Sequence, residues 1–125
     1  MNFQEQLEEI KRDCSFPDWD GYGALPLNET SVRLAKQFIK QVMELYPELP
    51  YPELCPEPDG DLGFDWNVNE NKLAVSINSN YLVSYCVVFS NGTRGKGDYP
   101  YKQNEINPMI ESHIEEILKK EKHDD

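Results

Sequence analysis

The chain has no apolar run near the roughly 18 residues that a membrane-spanning helix needs. Its opening residues, Met1 to Ile10, are acidic and amphipathic where a secretory leader would be basic and then apolar. A cytoplasmic protein without membrane contact is expected. Cysteine is scarce: Cys14, Cys55 and Cys86 are odd in number, widely spaced and free of any Cys-x-x-Cys pair, so neither a disulfide framework nor a zinc knuckle is indicated. They read as reduced, mostly buried thiols. His113 and His123 have no Cys, His or carboxylate partner at metal-ligand spacing, and no Gly-x-Ser-x-Gly nucleophile elbow occurs. These patterns indicate no cofactor, no metal and no catalytic residue.

Positive charge is missing where it would matter most. Between Lys40 and Lys72 there is no Lys or Arg, while Glu44, Glu48, Glu53, Glu57, Asp59, Asp61, Asp65 and Glu70 all fall in that interval. The 125 residues carry a formal charge of −11, nearly all of it within residues 1–70. Such a balance repels nucleic acid and anionic membrane surfaces. The length suits one domain, residues 1–120, able to bury a core without disulfides or metals, with a charged tail at 121–125 expected to fray.

Hydrophobic periodicity supplies the elements. Phe3, Leu7, Ile10 and Cys14 recur at helical spacing over Asn2 to Cys14, and the Phe16-Pro17 step closes that helix. Asn28 or Thr30 can cap a second helix running to about Tyr46, with Val32, Ala35, Phe38, Ile39, Val42 and Tyr46 facing inward. Five prolines between Pro47 and Pro58 keep the next stretch extended, with room for an edge strand at Glu53 to Cys55. The period then changes to two. Leu62, Phe64, Trp66 and Val68 form one strand, Leu73, Val75 and Ile77 a second, and Tyr81 to Phe89 a third whose apolar residues on both faces predict a central, doubly covered position. Asn91 to Gly97 reads as a polar, glycine-rich loop. Asn107 and Pro108 then start a helix with Ile110, Ile114, Ile117 and Leu118 on its inner stripe. Short connections imply an antiparallel meander, so the fold class is α+β: three to four strands, with two N-terminal helices and one C-terminal helix packed mainly on one face.

Between the first two helices lies Asp18-Trp19-Asp20-Gly21-Tyr22-Gly23-Ala24, two aromatics set among two turn-forming glycines. Trp19-Asp20-Gly21-Tyr22-Gly23-Ala24, followed by Pro58-Asp59-Gly60 and Trp66, resembles the pattern of small bacterial proteins of unknown function that carry a W-D-G-Y-G-A motif. That resemblance spans about half of the chain and implies a fold more than an activity. Two readings of Trp19, Tyr22 and Trp66 follow. As core, they plug the joint between helices and sheet, with Asp18 or Asp20 accepting backbone N–H groups of the turn; as surface, they are binding anchors ringed by acid.

Function is read from the anionic interval. Glu53, Glu57, Asp59, Asp61 and Asp65 can present a rigid negative field to a basic protein surface, possessed for example by a nucleic-acid-handling protein, without direct contact to nucleic acid. A non-enzymatic binder of the inhibitor, antitoxin or immunity type is the leading expectation. The alternative is a Mg²⁺-dependent nuclease of the Pro-Asp … Glu-x-Lys type, using Asp59, Glu70 and Lys72, although Glu70 and Lys72 fall at a predicted hairpin turn. Gly92-Thr93-Arg94-Gly95-Lys96-Gly97 lacks the spacing of a phosphate-binding loop. Docking of that basic segment on the acidic segment of a second copy would give a homodimer, a structural protein with no separable activity.

Overall fold

A computed structural model describes residues 2–119, so the tail at 121–125 lies outside the described residues. The elements follow in the order α1 (Phe3–Cys14), α2 (Glu29–Leu45), β1 (Glu53–Pro56), β2 (Leu62–Val68), β3 (Asn71–Ile77), β4 (Leu82–Val88), β5 (Arg94–Pro100) and α3 (Pro108–Leu118). The fold class is α+β, with the helices at the expected places. Each helix starts on an asparagine whose side chain accepts a backbone N–H of the first turn: Asn2 from Glu5, Asn28 from Ser31 and Asn107 from Met109. These bonds satisfy donors that a helix start leaves without intrahelical partners.

The strands form one antiparallel sheet in sequence order, β1-β2-β3-β4-β5. Its β2–β3 connection is a two-residue turn, Asn69-Glu70, with φ of 52° and 66° at the two positions. Positive φ at both central residues matches the right-handed twist of the flanking strands. All three helices cover the same face: α1 lies over β1, α2 over β2 and β3, and α3 over β3. The inward row Leu54, Phe64, Val75, Tyr85 and Gly97 runs across all five strands in register. Phe38 of α2 meets Phe64 at 5.6 Å between ring centroids, and Phe64 meets Trp66 edge-on at 5.5 Å. Trp66 is fully buried and donates its indole N–H to the Pro50 carbonyl at 2.8 Å. Its polar edge is therefore satisfied inside an apolar core.

The sheet has five strands, one more than the upper expectation, because Arg94–Pro100 is a strand and not a loop. The periodicity was hidden by glycine. Two of the three inward residues of β5 are Gly95 and Gly97, the third being Tyr99, and at the glycines the space a side chain would fill is taken by neighbours: a Cβ on Gly97 would lie 2.7 Å from the Tyr85 hydroxyl, and one on Gly95 would lie 3.2 Å from Val87. Arg94, Lys96 and Asp98 alternate outward. A second correction concerns β4. It is not covered on both sides: Val83 and Val87 are buried, but Cys86 and Ser84 are exposed and Leu82 and Val88 are only half-buried on the open face. Cys86 is thus an exposed thiol, contrary to the expectation for the cysteines, while Cys14 is buried.

The aromatic loop is also not a plug. Trp19 packs against the core and donates to the Leu25 carbonyl at 2.8 Å, but Tyr22 is 94 % exposed. The Asp20 carboxylate accepts the N–H groups of Tyr22 and Ala24, and Asp18 accepts that of Gly23 at 2.6 Å, so both carboxylates point into the loop. With φ of 78° at Gly21 and 84° at Gly23, the backbone wraps around those acids and turns the Tyr22 ring outward. Of the three aromatics, Trp66 alone is fully core.

Replacing Trp66 by Ala should therefore cost about 3–5 kcal/mol in a urea melt. Tyr22→Ala should stay within about 0.5 kcal/mol of the parent protein.

Candidate functional site

The β1–β2 hairpin carries all five acidic residues singled out in the sequence. Its turn is closed by the Gly60 N–H on the Glu57 carbonyl at 3.0 Å and the Glu57 N–H on the Asp61 carbonyl at 2.9 Å. Two further backbone bonds pin this turn to the segment leading into α2: Leu25 N–H to the Pro58 carbonyl at 2.8 Å, and Asn28 N–H to the Gly60 carbonyl at 2.7 Å. Gly60 has φ of 92°, and a Cβ there would sit 2.8 Å from the Pro26 carbonyl oxygen. Only glycine permits that approach. The acidic turn is accordingly a rigid feature, held against the helical layer.

Within it, Glu57, Asp59 and Asp61 each offer a carboxylate oxygen within 4.8 Å of the others. Burial, and then the neighbouring Asp59, push the Asp61 carboxyl up to about 6, while Ser31 pulls it the other way. Glu57 is raised too, chiefly by burial and against the hydrogen bond that the Ser76 hydroxyl donates to it at 3.1 Å. The Glu57 side chain reaches Ser76 by lying across Gly63, where a Cβ would stand 2.6 Å from its Oε1. Glu53 and Asp65 are cross-strand partners in the β1–β2 register and so share the open face. Asp65 is half-buried and accepts from the Cys55 thiol at 3.6 Å.

Four cations that could neutralise this acid, Arg33, Lys36, Lys96 and Lys102, stand elsewhere. Arg33 and Lys36 line a cleft of about 530 Å³ with Lys11, between α1 and α2, and Arg33 donates to the Tyr81 hydroxyl at 3.0 Å. Lys96 lies on β5, at the far side of the sheet from β1. Lys102 follows β5, where its backbone bridges that of Glu105. One neutraliser was missed: Lys72 approaches Asp65 at 3.6 Å. The hairpin register would have revealed it, because Lys72 opposes Asn67 and Asp65 lies two residues along on the same face. Among the described residues, no ion pair reaches Glu53, Glu57, Asp59 or Asp61.

The nuclease constellation does not assemble. Asp59 sits in the turn before β2 and Glu70 in the turn after it, so the seven residues of β2 separate them. At about 3.4 Å per residue that is roughly 20 Å, too far to share an ion. Burial and the Asp65 carboxylate push the Cys55 thiol up to about 11, and His113, ringed by Tyr85 and Phe89, is lowered by burial. Chemically, three clustered carboxylates can attract a hard cation or the ammonium and guanidinium groups of a protein.

Fold and site together define a class: a small α+β protein whose helices cover one sheet face and whose hairpin end concentrates acid that has no ion-pair partner among the described residues. No known protein family, curated protein or solved structure matches the chain. Among the described residues, no helix is long and apolar enough to cross a membrane.

The raised Asp61 carboxyl has a consequence for pH. Its proton is held more tightly in the folded state, so folding takes one up between the ordinary 3.8 and about 6, and stability falls as pH rises through that window. Glu57 acts in the same direction, and the lowered His113 in the opposite one. Asp61→Asn should raise the melting temperature at about pH 7.5 by a few degrees, about 4 °C per kcal/mol recovered, and should flatten the gain seen on acidification to about pH 5. Parallel thermal melts of the two proteins across that range check it.

Proposed function

We propose that this protein is a non-enzymatic binder that masks a basic surface on a protein partner in the cytoplasm, in the manner of an inhibitor, antitoxin or immunity protein. One observation carries the reading: Glu57, Asp59 and Asp61 are held within 4.8 Å of one another, with no cation in contact among the described residues. Carboxylates confined in this way repel each other, and burial raises the cost of charging them. A lysine or arginine from outside relieves both the repulsion and the desolvation.

Rigidity adds to the case, since a turn pinned by two backbone bonds loses little freedom on binding. Glu53 extends the acid along the hairpin, whereas Asp65 is already paired with Lys72 and contributes less net charge. Tyr22 supplies an apolar anchor. It projects from a hydrogen-bonded loop whose continuation, Leu25 to Asn28, is itself bonded to the acidic turn. Exposed tyrosines with little rotamer freedom to lose are favoured at the centres of interfaces. The analogy with antitoxins and immunity proteins rests on size and charge.

Capture from a bacterial lysate tests this reading. A specific partner should be retained at about 0.05 M salt and fall at least tenfold, about 1.4 kcal/mol, at about 0.5 M. Combined Asp59→Asn and Asp61→Asn, and separately Tyr22→Ala, should each reduce the yield at low salt. A partner held equally by the parent protein and the Asp59/Asp61 variant would sink the proposal.

A further inference from the structure

We infer that the cleft between α1 and α2 is a binding site for a phosphate monoester, an organic molecule with one dianionic phosphate on an apolar body. The inference does not rest on the basic-partner reading, which concerns charge of the opposite sign at another place. Residues 1–70 hold five cations, Lys11, Arg12, Arg33, Lys36 and Lys40, in the acidic part of the chain. Three of them, Lys11, Arg33 and Lys36, line the same cleft of about 530 Å³. Among the described residues none of the three has a carboxylate within ion-pair distance, although Glu29 lies one helical turn before Arg33 and lines the cleft as well. Like charges gathered around one concavity repel each other, and an anion between them relieves that repulsion.

Arg33, Lys36 and Gln37 share one face of α2, three and four residues apart, while Lys11 comes from the last turn of α1. Two tyrosines at the end of the sheet hold the α2 face in place. Arg33 donates through Nη2 to the Tyr81 hydroxyl at 3.0 Å, and the hydroxyl of the buried Tyr101 donates to Gln37 Oε1 at 3.2 Å. The first bond steadies the guanidinium and leaves its other N–H groups for a fork on phosphate oxygens; the second leaves the Gln37 amide nitrogen as a donor. Tyr81 itself takes φ of 62°, a left-handed conformation that bulky residues rarely adopt. It is kept there by its N–H on the Asn78 carbonyl at 3.2 Å and by its carbonyl, which accepts the Tyr101 N–H at 2.6 Å. Backbone strain of this kind persists where it positions a group, and the positioned group here is Arg33.

Charge and size select the ligand class. Three lining cations and Glu29 sum to +2, which a phosphate monoester at about −1.5 to −2 near pH 7 balances and a carboxylate or sulfate ester, with one charge, does not. A bare phosphate ion would leave most of the cleft to water, whereas organic ligands occupy sites of about 300–1,000 Å³. Leu27 and Val32, both buried, give such a molecule an apolar floor. A nucleic-acid strand fits less well, because its many phosphates meet the repulsion of a chain of net charge −11. A single ester is governed by charges within about 8 Å, the screening length at physiological salt.

Titration of the isotope-labelled protein, followed by its amide NMR shifts in about 0.05 M chloride, tests the site with inorganic phosphate, phenyl phosphate and phenyl sulfate. Phenyl phosphate should move the amides of Ser15, Arg33, Lys36 and Gln37 with a Kd of about 1 mM or tighter. Inorganic phosphate, which lacks the apolar body, and phenyl sulfate, which carries one charge, should each bind at least about threefold more weakly. Arg33→Gln and Lys36→Gln should each weaken phenyl phosphate at least about fivefold, whereas Glu29→Gln should tighten it. All three positions are exposed, and a thermal melt confirms that each variant is folded. Asp59→Asn with Asp61→Asn should retain phenyl phosphate, which separates this site from capture of a basic partner. A spectrum unmoved by all three probes at about 10 mM, shifts centred away from the cleft, or an Arg33→Gln, Lys36→Gln double variant that binds like the parent would each overturn the inference. So would inorganic phosphate or phenyl sulfate bound as tightly as phenyl phosphate, the mark of an adventitious ion only.

Discussion

Burial of a single sheet face under three helices is the constraint from which the other features descend. The inward side chains of β2, β3 and β4 are large and apolar, and the rings of Phe38, Phe64 and Trp66 interlock between α2 and the sheet. Ser31 ties the same two layers, its buried hydroxyl donating to the Ile77 carbonyl. Once every helix is committed to that side, the outward residues of the strands have no protein to meet. An antiparallel sheet tolerates this arrangement because its residues alternate between faces, so polar and small side chains can collect on the open one without disturbing the core.

The acidic turn is built at the border of that core and inherits its rigidity. Its backbone bonds to Leu25 and Asn28 place Asp61 beside the first turn of α2, where the helix N-terminus favours negative charge. That attraction is insufficient for three carboxylates. Burial and mutual repulsion raise Asp61 and Glu57, so the folded state carries an electrostatic cost that a hydrophobic turn would not have. Sites that retain such a cost are common where a partner relieves it. The Asp18 and Asp20 carboxylates make the contrast plain: each is spent on backbone N–H groups of its own loop and closes a turn.

Much of this architecture was legible in the chain. Three helices, the caps of the second and third, the β1 edge strand and the apolar strands were readable because their inward residues are large and their boundaries are marked by Asn, Pro or Gly. β5 was not readable, since two of its three inward positions are Gly95 and Gly97 and Tyr99 alone cannot mark a hydrophobic period. The direction of Tyr22 stayed open between core and surface for a related reason: composition reveals that an aromatic lies in a turn, but the outward direction follows from where Asp18 and Asp20 find their donors. For β4, apolar character at Leu82, Cys86 and Val88 suggested a second cover that the helices, all on the other side, do not provide.

By itself, then, the order of residues determined the α+β class, the helix starts, the meander and the confinement of negative charge to a lysine-free middle. Those properties depend on neighbours a few positions apart, which is what periodicity, capping and composition report. Only the tertiary structure decided that Glu57, Asp59 and Asp61 converge, that Lys72 neutralises Asp65, and that Asp59 and Glu70 stand at opposite ends of β2. Each of these is a matter of register and layer order, set by which face of the sheet the helices bury.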